Sequence, residues 1–306
     1  MHSPAPIPPQ EYIFRVGGPP GEWGPIQYDE LGAVQKAAIL DILPSDWSFE
    51  DRRMLDFGSG AGRLLRHFFD EAEAGGEFFG CDVDPEMIAW MDENLCPPLT
   101  GALATNIEPP LPFPDSHFDL VTAISVFTHI TTHWAEWVLE MQRITKPGGF
   151  VLVTILGDAM SRDLTPVPWD EDATAMNCFG FGPHVWRFAL VLHSEWWIRT
   201  HWGRAFDIHA VQLNGFANDS DSGHGVVLMS PKDVSLTVDD LLRHEPGEER
   251  YAKAWIQNLR QLDADGDMLR ERGGQLDTII NSRSWKLTAP LRALGRVARR
   301  DDSRQT

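Results

Sequence analysis

Between residues 53 and 156, short β-branched and aromatic runs alternate with longer amphipathic segments, and this alternation restricts the fold more than any other feature. The runs are RMLDF (53–57), EFFGCD (77–82), GALAT (101–105), FDLVTAI (118–124) and GGFVLVTIL (148–156). Between them lie GRLLRHFFDEAE (62–73), PEMIAWMDENL (85–95) and THWAEWVLEMQRI (132–144), each with helical periodicity. Strand and helix in strict alternation predict a parallel sheet flanked by helices. An amphipathic helix over 29–43 precedes the first strand. AFDIHAVQL (205–213) and HGVVLMSP (224–231), separated by a polar loop, predict a closing antiparallel hairpin. The expected organisation is an irregular lead-in over 1–30, rich in Pro and Gly, and a main domain over 31–232 with an aromatic insert at 157–203. A polar helical extension over 233–306 follows.

The first strand runs into LDFGSGAGRLLR (55–66), where Gly58, Gly60 and Gly62 follow the carboxylate of Asp56. Glycines at such a place permit positive φ and let backbone N–H groups approach a ligand at the start of the next helix. A dinucleotide fingerprint counted from Gly58 and Gly60 requires glycine at position 63, where Arg63 stands. Asp56 would repel an incoming pyrophosphate but attracts the ammonium of an amino-acid cofactor. The turn is therefore read as a site for S-adenosyl-L-methionine (SAM). Asp82, ending the second run, is placed to accept from both ribose hydroxyls, a role it could equally play toward a nicotinamide dinucleotide.

Four consecutive segments, LDFGSGAGRLLR, GCDVDPEMIAW, PPLPFPDSHFDLVTAISVFTHI and RITKPGGFVLVTILG, occur in the order seen in class I SAM-dependent methyltransferases, which residues 52–157 resemble. The resemblance implies an α/β, Rossmann-like, seven-stranded and mostly parallel sheet with an antiparallel last strand, and SAM across its C-terminal edge. By motif position it implies Asp56, Phe57, Gly58, Gly60 and Gly62 around the methionine part, and Asp82 and Val83 at the ribose. It places Asn106 at the adenine edge, with Ser125 completing the cofactor-binding set. Ser59 departs from relatives that often carry Cys, at a place where the turn needs backbone access alone. Asn106 reads equally well as a turn-stabilising residue.

Methyl transfer from a sulfonium is an in-line displacement, so the protein aligns donor and acceptor and, for a hydroxyl acceptor, removes its proton. His129, in SVFTHITTH (125–133) after the fourth strand, is the first candidate for that base, with a loop-holding role as the alternative. His133 reads as helix-start structure, and His184 and His193 of the insert are reserve bases. The spacing in HITTH brings zinc to mind, yet Ile130 occupies the place of the catalytic Glu and no third ligand is evident, so no metal is expected. In relatives the segment corresponding to the insert builds the acceptor pocket. Here it carries Trp169, Phe179, Phe181, Trp186, Trp196, Trp197 and Trp202, whose faces suit the apolar C–H faces of sugars, although any one of them alone reads as core.

Charge narrows the acceptor. The chain carries a net charge of −19, but residues 282–306 alone are strongly basic, with Arg283, Lys286, Arg292, Arg296, Arg299, Arg300 and Arg304 against Asp301 and Asp302. The body is correspondingly more acidic than the total, and it should repel polyanions, so nucleic acid is excluded as a partner. SRSWKLTAPLRALGRVARR (282–300) resembles a terminal motif of bacterial surface-polysaccharide enzymes. It is read either as an interfacial helix on anionic lipid or as a basic tail docking on protein. Residues 247–281 are read as a helical arm or oligomerisation element, with the oligomeric state open. No transmembrane run or signal sequence is evident, and Cys81, Cys96 and Cys178 are unpaired. A cytoplasmic protein is therefore expected, with the tail a candidate contact at the inner membrane face. The expected function is SAM-dependent O-methylation of a sugar hydroxyl in cell-surface glycan biosynthesis. The alternatives are methylation of a small secondary metabolite, an NAD-dependent sugar oxidoreductase, and a non-catalytic scaffold.

Overall fold

The computed structural model describes residues 5–17, 24–164, 169, 175–179, 190–217, 223–245 and 248. Strands β1 (Arg53–Phe57), β2 (Glu77–Asp82), β3 (Gly101–Ala104), β4 (Phe118–Ala123) and β5 (Thr145–Ile155) are mutually parallel. Short strands β6 (Met176–Phe179) and β7 (Leu190–His193) pair apart from them. Strands β8 (Phe206–Gln212) and β9 (Gly225–Pro231) complete a seven-stranded sheet of order β3-β2-β1-β4-β5-β9-β8, in which β9 runs antiparallel to both neighbours. The expected sheet is thus the observed one. The chain leaves β1 toward β2 and β3, then returns to β4 and β5 on the other side. This reversal opens a crevice at the C-terminal ends of β1 and β4, where such sheets bind ligands.

Successive strand residues face opposite layers. Leu55, Val121 and Val153 enter one core, with Trp137 and Met141 of the helix Trp134–Ile144 and Trp202 of the helix Glu195–Ala205. Met54, Leu120 and Leu152 enter the other, with Ile39, Phe68 and Met91. Burial on both faces explains why β4 and β5 read as near-continuous apolar runs. In chain order the helices are α1 (Gln10–Gly17), α2 (Pro25–Ile42), α3 (Phe69–Glu73), α4 (Pro85–Leu95), α5 (Trp134–Ile144), α6 (Asp158–Leu164), α7 (Glu195–Ala205) and α8 (Val238–Leu242). Helix α4 starts where the sequence dictates. Asp84 accepts from the amides of Glu86 and Met87 at 3.0 and 3.3 Å, and Pro85 takes the first helical position.

Three segments differ from the sequence reading. The lead-in is not wholly irregular: α1 forms behind Pro8 and Pro9, the Pro9 carbonyl accepts from Tyr12 and Ile13, and Ile13 is fully buried. Prolines that punctuate a chain also suit the position just before a helix. The helix expected over 62–73 is broken into turns, a 3-10 segment Leu65–Phe68 and α3, because Gly62 sits at φ 77°, outside helical space. Finally, packing continues past residue 232. Thr237 and Asp240 form a reciprocal cap on α8, and Leu241 is fully buried beside α5 and α7. One apolar anchor inside a polar stretch was enough to dock it. Among the described residues no helix is long and apolar enough to cross a membrane. The basic tail, and Phe181, His184 and Trp186 of the insert, lie outside the described residues.

Candidate active site

Asp56, next to last in β1, is in register with Gly80 on β2 and Thr122 on β4. Its carboxylate is only 4% exposed and accepts one hydrogen bond, from Thr122 Oγ1 at 2.8 Å. Burial, aided by the charge of Asp82 and opposed by Thr122 and Arg63, pushes its pKa up to about 7. The Arg63 guanidinium, just past the glycines, donates to the Val16 carbonyl of α1 at 3.1 Å and acts electrostatically on both Asp56 and Tyr28. Burial lowers the Arg63 pKa and raises that of Tyr28. Tyr28 is fully buried, and its hydroxyl has no hydrogen-bond partner among the described residues. An unsatisfied buried hydroxyl beside a desolvated carboxylate and a desolvated guanidinium is costly, unless a ligand completes the set.

The glycine turn is held against β2 by its own backbone: Gly58 and Ser59 donate to the Cys81 carbonyl at 2.8 and 3.0 Å. Gly58 lies at φ 79°, and a Cβ there would stand 2.3 Å from Val126 Cγ2, so conformation and space both demand glycine. Gly60, at φ 55°, faces Val16 of α1, which would be 3.0 Å from a Cβ. Ser59 turns its hydroxyl inward toward the Cys81 carbonyl and Met91.

Asp82 accepts from Gly60 N at 2.8 Å through one oxygen and from Asp84 N at 2.9 Å through the other, and the Val83 amide also donates to it. An ionised carboxylate has about four acceptor positions, so capacity remains for a ribose hydroxyl. Burial raises its pKa. Val83 beside it is exposed, and Asn106 is exposed on the loop after β3. That loop is pinned to α5, where Trp137 Nε1 donates to the Ile107 carbonyl at 3.1 Å and Glu140 accepts from Leu111 N at 2.6 Å. The Phe57 ring packs on Trp137 with centroids 4.6 Å apart and belongs to the core, so its backbone is the part it offers to the site.

These residues fit SAM. A buried carboxylate, a buried guanidinium and an orphaned hydroxyl match an ammonium–carboxylate head group, and Asp82 retains acceptor capacity for a ribose hydroxyl.

On the acceptor side, Ser125 follows β4 at φ 62° and its amide donates to the buried Thr154 Oγ1 at 2.6 Å. His129 is half-buried on the same loop, its amide bonded to the Val126 carbonyl. His133 sits at the start of α5, its ring 3.5 Å from Glu136 and 3.8 Å from Glu108. His193 corrects its reserve role. It is fully buried, its ring lying 5.5 and 5.3 Å from those of Trp197 and Trp202, and burial pushes its pKa down to about 3. Trp197 and Trp202 are themselves core residues, and half-buried Trp196 packs against that core. His224 was missed by the sequence reading. An antiparallel β9 must begin at the edge where parallel strands end, and that rule would have found it: Gly225 pairs with Ile155, the last residue of β5. His224 Nε2 stands 3.4 Å from Ser125 Oγ.

Residues 55–153 match the family model described as a methyltransferase domain. A ubiquinone/menaquinone biosynthesis C-methyltransferase, UbiE, of Burkholderia cenocepacia is 34% identical over 103 residues, covering 33% of this chain and 42% of that protein. Its namesake from Cupriavidus necator is 33% identical over 106 residues with the same coverage. The chain therefore matches less than half the length of these curated relatives. A crystal structure from Listeria monocytogenes, described as an S-adenosylmethionine dependent methyltransferase, superposes with a TM-score of 0.50 at 15% identity. It covers 66% of this chain and 99% of its own. Sheet order, glycine turn and matched segment agree: residues 55–153 match the methyltransferase-domain model and lie within a Rossmann-like sheet of the class I kind.

Proposed function

We propose that this chain transfers a methyl group from SAM to a hydroxyl of a sugar in cell-surface glycan biosynthesis. The observation that carries methyl transfer is the desolvated Asp56–Arg63–Tyr28 group beside the glycine turn, which suits a zwitterion and not a diphosphate. When bound, SAM supplies an electrophilic methyl on a sulfonium. Asp56, Arg63 and Tyr28 hold the head group, Asp82 the ribose, and the Val16 side of α1 shields the turn from water. A neutral hydroxyl acceptor needs a base, and the sheet edge provides imidazoles at His129 and His224.

The sugar assignment rests on the acidic body, which disfavours polyanionic acceptors, and on the likeness of residues 282–300 to surface-polysaccharide enzymes. The curated relatives match over a donor-side segment of 103 to 106 residues, so their acceptor chemistry is not carried over. The test is incubation with methyl-labelled SAM and fractionated envelope precursors. Label in a lipid-linked or nucleotide-linked sugar fraction supports the reading. Label only in a lipid-soluble, sugar-free fraction overturns the sugar assignment, and absence of S-adenosylhomocysteine binding overturns methyl transfer itself.

A further inference from the structure

We propose that His224, just before β9, takes the proton from the acceptor hydroxyl, with Ser125 fixing its ring and His129 close by. This rests on the methyl-transfer reading above. The backbone of His224 is fixed from two sides: its carbonyl accepts from Phe216 N at 2.8 Å, and Gly225 is in register with Ile155 at the end of β5. Its Nε2 lies 3.4 Å from Ser125 Oγ, although the two residues are 99 positions apart in sequence.

Ser125 is the joint between this histidine and the donor turn. It is one of few non-glycine residues with positive φ, at 62°, and such a conformation persists only where its surroundings enforce it. Two contacts enforce it here: the bond from its amide to the buried Thr154 Oγ1, and the packing of the next residue, Val126, directly on Gly58. The strained residue thus aims its hydroxyl at His224 while its neighbour touches the turn that carries the donor. The groups facing the imidazole are Ser125, Arg63 and His129. Burial first, then the charges of Arg63 and His129, push its pKa down to about 4, so the ring is neutral at neutral pH and holds an unprotonated nitrogen. As the oxygen–methyl bond forms, the carbon–sulfur bond breaks with its electron pair kept by sulfur. The hydroxyl proton passes to the imidazole nitrogen not engaged by Ser125, and from there to water.

The test follows the His224 ring by nuclear magnetic resonance in the full-length chain labelled at histidine, its signal identified by loss in His224→Gln. The chain is titrated from pH 3.5 to 8 alone, with S-adenosylhomocysteine, and with SAM. Both ligands should shift the His224 signal, and the sulfonium should lower its apparent pKa relative to the neutral thioether by about half a unit or more. The exposed-side His133 should respond equally to the two ligands. Ser125→Gly, whose backbone suits the left-handed position, should change the His224 titration, because it removes the hydroxyl 3.4 Å from the ring. If calorimetry shows both ligands bound while His224 titrates identically with each, the assignment to His224 is wrong and the methyl-transfer reading stands. If neither ligand binds, both fall together.

Discussion

Thr122 Oγ1 donates to Asp56 at 2.8 Å across the β1–β4 pair, and it is the one hydrogen bond described for a carboxylate that ends in the crevice of the sheet. One neutral donor does not compensate burial, and the Asp56 pKa rises from its ordinary 3.8 to about 7. Asp56 is thus a buried carboxylate with acceptor capacity left unfilled, which the ammonium of the proposed cofactor would fill.

Asp56→Asn should therefore stabilise the ligand-free protein and weaken the ligand. A folded-state pKa above the unfolded value means stability is greatest below pH 3.8 and is lost as pH rises toward 7, by on the order of a few kcal/mol. Denaturant unfolding at pH 5 and pH 8 should show this decline in the wild type and a smaller one in Asp56→Asn. Calorimetry should show S-adenosylhomocysteine weakened by roughly 100-fold, about 2.7 kcal/mol. Equal pH dependence in the two proteins would count against the buried-anion account.

Arg63→Met separates head-group recognition from nucleoside recognition. Arg63 acts on Asp56 and Tyr28, at the head-group end of the turn. The variant should bind S-adenosylhomocysteine about tenfold more weakly or worse, and adenosine with unchanged affinity. Equal losses for the two ligands would mean that Arg63 supports the fold of the turn instead.

Gly58→Ala combines a left-handed backbone with a 2.3 Å approach to Val126 Cγ2. The backbone alone costs roughly 1–2 kcal/mol and overpacking adds a similar amount. Adding Val126→Ala should recover the packing part and leave the backbone part. A thermal-unfolding double-mutant cycle measures the coupling, and additive effects would exclude the contact.

His193 makes the fold acid-sensitive. Both ring nitrogens lack hydrogen-bond partners among the described residues, and its pKa falls from 6.5 to about 3. The unfolded chain binds a proton that the folded chain refuses, so stability is present above pH 6.5 and is lost as pH falls toward 3. In His193→Leu the stability difference between pH 7.5 and pH 5 should shrink by about 2 kcal/mol. An unchanged difference would show that another group governs the acid limb.

The alternation of runs, the glycine turn, Asp56 and Asp82 were all legible in the sequence, because periodicity and short spacing are local properties that the chain carries whatever its surroundings. Antiparallel closure was legible too, from two runs across a polar loop. Tertiary structure alone decided the rest, since its causes are contacts between distant residues. Ile13 anchors a proline-flanked helix over the turn, Leu241 docks a polar segment, and Trp197 with Trp202 draws His193 into the core. Ser125 meets His224 only after β9 has been laid beside β5. The backbone's local preferences set the elements, and burial, acting across the whole chain, selected which polar side chains remained at the edge to do chemistry.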